Sequence, residues 1–305
     1  MLATTDTAAL LALAPDCLAY FGPAAFGPVE GNTVAQDIAT FLRAGSNVVT
    51  TSLTLTHPAA GPADLAALLG DAAKAGATSL FATGIEPGYA SDLLPLSLLS
   101  ACDDVEFVRI QEIADYGGYP VEYVMRHVFG FGQPTTATPL LFQGSMLVES
   151  WRGVVQLIAD ALRVTFDAVD MTYDTATLDH DIDTAFGVVE AGTVAAVRFQ
   201  VRGLIDGRPL VILEHVNRLG AEVAPDWPHG DATDRLAYRV RIEGRPPTRC
   251  ELTFGPLEDS VDPGLVATAM RAVNAIPTVV AASPGLLSAL DLPIIVGRNV
   301  VIGPA

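Results

Sequence analysis

Over the first hundred residues the apolar positions follow two alternating patterns. Short, nearly continuous runs at Cys17–Phe21, Asn47–Thr51 and Ser79–Thr83 have the length of buried strands. Between them the spacing changes to threes and fours. Thr5–Asp6 caps a short helix from Ala8 to Leu13, with Leu10, Leu11 and Leu13 as its apolar face. Asn32–Thr33 opens a second helix, which carries Val34, Ile38, Phe41 and Leu42 and stops at Gly45. A third, Pro62 to Ala75, places Leu65, Leu68, Leu69 and Ala72 on one side and closes at Gly76. Strands this short and apolar, separated by helices, predict a parallel sheet covered on both faces.

The pattern changes after a leucine-rich helix, Leu93 to Cys102. In Val105–Ile113, Val105 and Phe107 lie on one face and Val108 and Ile110 on the other, a period of two with one slip, as a bulge gives. Longer alternating runs follow at Ala168–Ala176, Thr193–Ile205 and Pro209–Asn217. Asp206–Gly207 joins the last two as a hairpin signal. A further hairpin, Leu236–Ile242 with Thr248–Phe254, is expected to turn at Glu243–Gly244. Two helical patterns interrupt the strands, one around Val121, Val124, Met125 and Val128, the other from Ser145 to Leu162. A largely antiparallel sheet is expected here, with a free face available to cover a site or to make a subunit interface. Near the end, Pro263 to Ala275 returns to helical spacing and Asn274–Pro277 is expected to interrupt it. The fold class read from this order is α/β, an incomplete Rossmann-like parallel sheet followed by an α+β domain. Its expected organisation is a partial dinucleotide-binding domain at 1–103, an α+β substrate and dimerisation domain at 104–262, and a C-terminal part at 263–305 that packs back on the first.

Composition narrows the partners. Half of the 305 residues are apolar and 17% are charged, which suits a compact chain. A net charge of −18 opposes association with a phosphate backbone, so nucleic acid is not expected. Every apolar run breaks before the ~18 residues a membrane span needs, and no basic leader with an apolar core opens the chain. No membrane and a cytoplasmic location are the corresponding expectations. Cys17, Cys102 and Cys250 form no C-x-x-C pair and read as free thiols in a reducing compartment.

The stretch Thr83–Tyr89 carries the first candidate chemistry. A strand ends there in a turn punctuated by Gly84, Pro87 and Gly88, and Glu86 is its one carboxylate. Ligands of open α/β sheets sit beyond such strand ends, although an acidic residue near a helix start is also favoured for its charge alone. Tyr116 and Tyr119 lie in the glycine-rich loop Asp115–Pro120 and read either as phenolic donors or as packing residues. Glu112 is strand-borne, and Glu214 and His215 alternate on a strand, so only one of that pair faces a given cavity. No metal site is expected: the five histidines are scattered, and His180 with Asp179, Asp181 and Asp183 reads as a solvated loop. No Gly-x-Ser-x-Gly elbow is present. Nor is a G-x-G-x-x-G turn, since Gly130 and Gly132 lack the third glycine and follow a helix.

Asn47-Val-Val-Thr-Thr-Ser, Gly84-Ile-Glu-Pro-Gly-Tyr, Leu93-Leu-Pro-Leu, Gln111-Glu-Ile-Ala-Asp-Tyr, Glu214-His-Val-Asn-Arg, Ala224-Pro-Asp-Trp-Pro and Asn274-Ala-Ile-Pro occur in this order. Together they resemble the dihydrodipicolinate-reductase-like family that includes 2,4-diaminopentanoate dehydrogenase and the native amine dehydrogenases. The resemblance implies a Rossmann domain, a homodimer, a small-molecule substrate, and NADP or NAD as cofactor. It implies hydride transfer between the nicotinamide and a C=N or C=O carbon. Phe21, Gly22, Thr51 and Ser52 are the implied cofactor side. Pro87, Glu112, Tyr116, Tyr119 and Asn274 are the implied substrate side, with Glu86 as the catalytic group. Two departures qualify it. The family's opening strand and glycine turn are missing, as though the chain starts roughly 50 to 60 residues late for such a domain. Ser52–Leu53 stand where amine dehydrogenases look to carry a glutamate, so either Glu86 takes over its proton chemistry or the substrate is not an amine. The competing readings are a non-catalytic binding or dimerisation module and a true dihydrodipicolinate reductase. The latter is disfavoured by the absence of paired histidines and of a lysine-bearing loop.

Overall fold

A computed structural model describes residues 3–22, 29–231, 235–257, 262–298 and 300. The chain divides into two compact units, Met1–Tyr89 with Ala267–Ala305, and Ala90–Val266.

The first unit opens with α1 (Thr7–Ala12) and then alternates: β1 (Cys17–Tyr20), α2 (Thr33–Arg43), β2 (Asn47–Thr50), α3 (Ala63–Gly76) and β3 (Ser79–Ala82). Asn32 caps α2 by accepting the Ala35 N–H at 3.0 Å. Gly45, at φ +93°, ends it, and the Ser46 N–H returns to the Phe41 carbonyl at 3.0 Å. Gly76 serves a purpose the helical pattern does not show. The left-handed residue that closes α3 is Ala77, whereas a Cβ on Gly76 would lie 1.8 Å from the Leu42 carbonyl oxygen. The glycine lets α3 approach the end of α2.

The second unit runs through α4 (Leu93–Leu99), β4 (Asp104–Asp115), α5 (Met146–Leu162), β5 (Ala168–Thr177), β6 (Ile182–Thr184), β7 (Gly187–Val189), β8 (Val194–Ile205), β9 (Arg208–Arg218), β10 (Leu236–Arg245) and β11 (Thr248–Thr253). Six of these strands form one mixed sheet, β11-β10-β4-β9-β8-β5, in which the β4–β9 pair is parallel and the other four pairs are antiparallel. The slip in β4 is a bulge at Glu106, where Val105 pairs with Gly244 and Phe107 with Glu243. Gly244 therefore lies inside β10 on the edge that pairs with β4, while the β10–β11 ladder ends at Ile242 opposite Thr248, so the expected turn residues Glu243–Gly244 open the hairpin connection that Pro246–Pro247 closes. A Cβ on Gly244 would lie 2.1 Å from the Asp104 carbonyl oxygen, so the glycine there admits the bulge of the neighbouring strand. Asp206–Gly207 turns as expected, both residues at positive φ.

The remaining elements are α6 (Pro263–Val280) and β12 (Gly285–Leu287). The helix runs through Pro277 without the expected interruption. A proline deletes one helical N–H bond, and the turn after it survives through the Ala281 N–H to the Pro277 carbonyl at 3.3 Å. β12 pairs parallel with β3 and completes the four-stranded parallel sheet β1-β2-β3-β12. Alternation along β2 and β3 sends Val48 and Leu80 to a core with Ile38, Leu42, Leu65 and Leu69 of α2 and α3. Val49 and Phe81 pack on the opposite face with Ala272, Ala275 and Val279 of α6. No described helix is long and apolar enough to cross a membrane.

Candidate active site

In the first unit the carboxyl ends of three adjacent parallel strands lie side by side, and the expected residues stand at them. Phe21 and Gly22 follow β1, Phe21 half-exposed. Thr51 and Ser52 follow β2; Ser52 is buried, its N–H on the Thr50 hydroxyl at 3.1 Å and its own hydroxyl 3.4 Å from that of Thr54. Beyond β3 the chain leaves helical geometry at Glu86, Pro87 and Gly88, and the Tyr89 N–H closes the turn on the Gly84 carbonyl at 2.9 Å. Thr268 of α6 braces this turn through the Ile85 N–H at 3.3 Å, and the Arg271 guanidinium lies 5.9 Å from the Tyr89 ring centre. Glu86 and Pro87 are half-buried, as is Asn274 on α6. Thr83 is fully buried, and its hydroxyl has no hydrogen-bond partner among the described residues.

In the second unit, β4 and β9 run in register with Glu112 opposite His215, and β8 places Phe199 opposite His215 on the other side. All three side chains therefore share one sheet face. Glu112 is 5% exposed and His215 3%. One oxygen of Glu112, Oε1, accepts the Tyr116 hydroxyl at 2.8 Å and lies 3.2 Å from His215 Nδ1. Phe199 stacks on the imidazole with ring centres 4.6 Å apart, and Trp151 of α5 meets it edge-on at 4.9 Å. The loop that carries Tyr116 is fixed by its own chemistry. Asp115 accepts the Gly117 N–H at 2.9 Å, and the Tyr119 N–H reaches the Tyr116 carbonyl at 3.0 Å. Tyr119 and Phe129 pack on the Tyr116 ring at 5.6 and 5.7 Å. Burial, and then the adjacent Glu112 carboxylate, push the Tyr116 phenol well above the ordinary tyrosine range. Burial and the carboxylates of Asp262 and Glu112 also raise Tyr119. The result is a carboxylate, a phenol and an imidazole in dry surroundings, a set able to hold and pass a proton.

The opposite face of the same sheet settles the choice between Glu214 and His215. Glu214 lies there, with no exposed side-chain surface, bonded to Arg109 at 2.8 Å, Gln111 at 2.7 Å, Arg198 at 2.6 Å and Gln200 at 2.8 Å. Burial alone would raise its carboxyl, but the two arginines and Gln200 outweigh it and leave Glu214 below the usual carboxylate range. Sequence reasoning therefore left out His215 as a site residue, along with Phe199 and Trp151 around it. The β4–β9 and β8–β9 registers, with the packing of α5, create the grouping.

A family profile described as the 2,4-diaminopentanoate dehydrogenase C-terminal domain matches residues 89–300. An amine dehydrogenase from Streptomyces virginiae is 37% identical over 298 residues, 96% of this chain and 81% of its own length. A 2,4-diaminopentanoate dehydrogenase from Acetoanaerobium sticklandii is 25% identical over 261 residues, 81% of this chain and 67% of its own. The structure of an amine dehydrogenase from Mycobacterium smegmatis shares the fold, with a TM-score of 0.75 over 97% of this chain and 81% of that one at 18% identity.

Proposed function

The chain belongs to the family of 2,4-diaminopentanoate dehydrogenase and the amine dehydrogenases, and from that premise we propose that it is an NADPH- or NADH-dependent reductase of a C=N or C=O group in a small molecule. At the coarser level it is an oxidoreductase of the amine dehydrogenase kind. The observation that carries the finer reading is the 37% identity to an amine dehydrogenase along nearly the whole chain.

The residues present fit a nicotinamide. Small or hydroxylated groups, Gly22, Thr51 and Ser52, stand at adjacent strand ends, and the buried Thr83 hydroxyl has an unused hydrogen-bonding capacity there. When bound, the cofactor supplies the hydride. This chain's part is to orient the substrate and manage protons. Phe21, Gly22, Thr51 and Ser52 hold the cofactor side. Pro87 and Asn274 are the substrate-side residues of the first unit, and Tyr119 with the Glu112–Tyr116–His215 group are those of the second. Glu86, a carboxylate in the turn beyond β3, handles the proton at the substrate nitrogen or oxygen. Glu112, kept in place by the phenol and the imidazole, accepts the Tyr116 hydroxyl and holds that proton away from water. The expected partner is a second copy of the chain, through the polar sheet face around Glu214, and the expected location is the cytoplasm.

Titration with NADPH and with NADH, followed by thermal shift and nicotinamide fluorescence, tests the reading. Micromolar binding of one of them, with ammonia-dependent oxidation of the cofactor in a ketone screen, is the expected result. Glu86→Gln should lower that turnover by about 100-fold or more while cofactor binding persists. Absence of binding for both cofactors would overturn the proposal.

A further inference from the structure

Asn217 lies two residues beyond His215 on β9 and therefore on the same sheet face, about 6.6 Å along the strand. It has no exposed surface, and neither Nδ2 nor Oδ1 has a hydrogen-bond partner among the described residues. Its neighbours across the sheet are Ala114 of β4 and Val197 of β8, which offer no polar side chain. Burying an unbonded amide costs free energy that an apolar residue of similar volume avoids. Ala114 stops at a methyl group, so no longer side chain from β4 covers the amide.

We propose that Asn217 is a specificity-determining residue that reads a neutral hydroxyl or carboxamide on the substrate, several bonds from its carbonyl carbon. The proposal rests on the functional reading above, which assigns the Glu112–Tyr116–His215 group to the substrate side. The amide presents one donor edge and one acceptor edge side by side. A hydroxyl or carboxamide both donates and accepts, whereas a carboxylate only accepts and an ammonium only donates. Arg218, next along the strand, turns to the other side and gives one guanidinium nitrogen to the Pro228 carbonyl at 3.0 Å. The spacing from His215 matches a chain of about four bonds, the length of 5-hydroxypentan-2-one from carbonyl carbon to hydroxyl oxygen.

The wild-type protein and Asn217→Leu are compared on pentan-2-one, 5-hydroxypentan-2-one and 4-oxopentanamide, with ammonia and reduced cofactor. Wild type should prefer the hydroxylated or amidated ketone over pentan-2-one by about tenfold or more in kcat/KM. N217L should erase that preference and leave pentan-2-one turnover equal or higher. The same preference in both proteins, or none in wild type, overturns the proposal. A second readout needs no turnover. The side-chain amide signal of Asn217 in wild type, assigned by its absence in N217L or N217D, should shift on titration with 4-oxopentanamide. If it shifts while no ketone is reduced, the subsite stands and the reductase reading falls. If it stays fixed at saturating probe, or crystals with the probe show the amide bonded to ordered water alone, the subsite is refuted.

Discussion

Tyr116 shows how one side chain reports on its surroundings. Its hydroxyl donates to a carboxylate that is itself buried, so ionising the phenol would set two negative charges side by side away from water. A raised folded-state value means that stability from this group is fully present below pH ~10, the ordinary tyrosine value, and is lost only as the pH rises through the higher folded value. In an alkaline titration followed by phenolate absorbance, one of the seven tyrosines should ionise late, together with unfolding. Tyr116→Phe should remove that late step and lower stability at neutral pH by about 1–3 kcal/mol, because Glu112 loses a bonded partner. A late step that survives the substitution would show that Tyr116 is not the protected phenol. The sequence showed the tyrosine and the glutamate four positions apart, but it did not show that a three-residue turn at Asp115–Gly117 brings the phenol back over the strand.

At the scale of elements, β9 divides two kinds of chemistry between its faces. His215 and Asn217 share one face with Phe199, and Glu214 anchors the other through two arginines and two glutamines. The depressed carboxyl of Glu214 stabilises the fold at all pH values above about 4.5, and that contribution is lost as acid carries the pH through the lower folded value. Glu214→Gln should cost roughly 3–5 kcal/mol at pH 7, because the arginines keep their charge without its counterpart. Its penalty should shrink toward pH 3, and urea unfolding at both pH values measures this. An equal penalty at the two would overturn the assignment. The elements themselves were largely legible, because buried runs and helical spacing are local: β1, β2 and β3 of the parallel sheet, the long helix α5 and the Asp206–Gly207 turn lie where the pattern put them, whereas the fourth strand, β12, is too short to leave a pattern. What escaped was set by long-range contact. The bulge at Glu106 carries β10 on along β4 to Arg245, past its last pair with β11, and the parallel register of β4 with β9, across about a hundred residues of chain, created the Glu112–His215 pair.

At the scale of the molecule, a chain carrying a net charge of −18 faces repulsion in any self-association, so a homodimer needs a surface where that charge is locally balanced. The sheet face around Glu214 meets that need. Arg109, Arg198 and Arg202 lie along it with a quarter to a third of each side chain exposed. Arg202 is paired to Asp170 at 2.6 Å, and Arg239 to Glu251 at 2.6 Å. Flat guanidinium groups already held by carboxylates lose little freedom on meeting a second copy, and they can share donors across a two-fold axis. A stable pair should bury upward of ~1,000 Å² in total, an area that a six-stranded sheet can supply. Sedimentation should therefore give twice the 31.9 kDa chain mass. Arg202→Glu places a like charge beside Asp170 and should shift the equilibrium toward the single chain, most strongly at low salt. A wild-type protein that sediments as one chain at micromolar concentration would refute the dimer. A dimer indifferent to Arg202→Glu would place its interface on another surface.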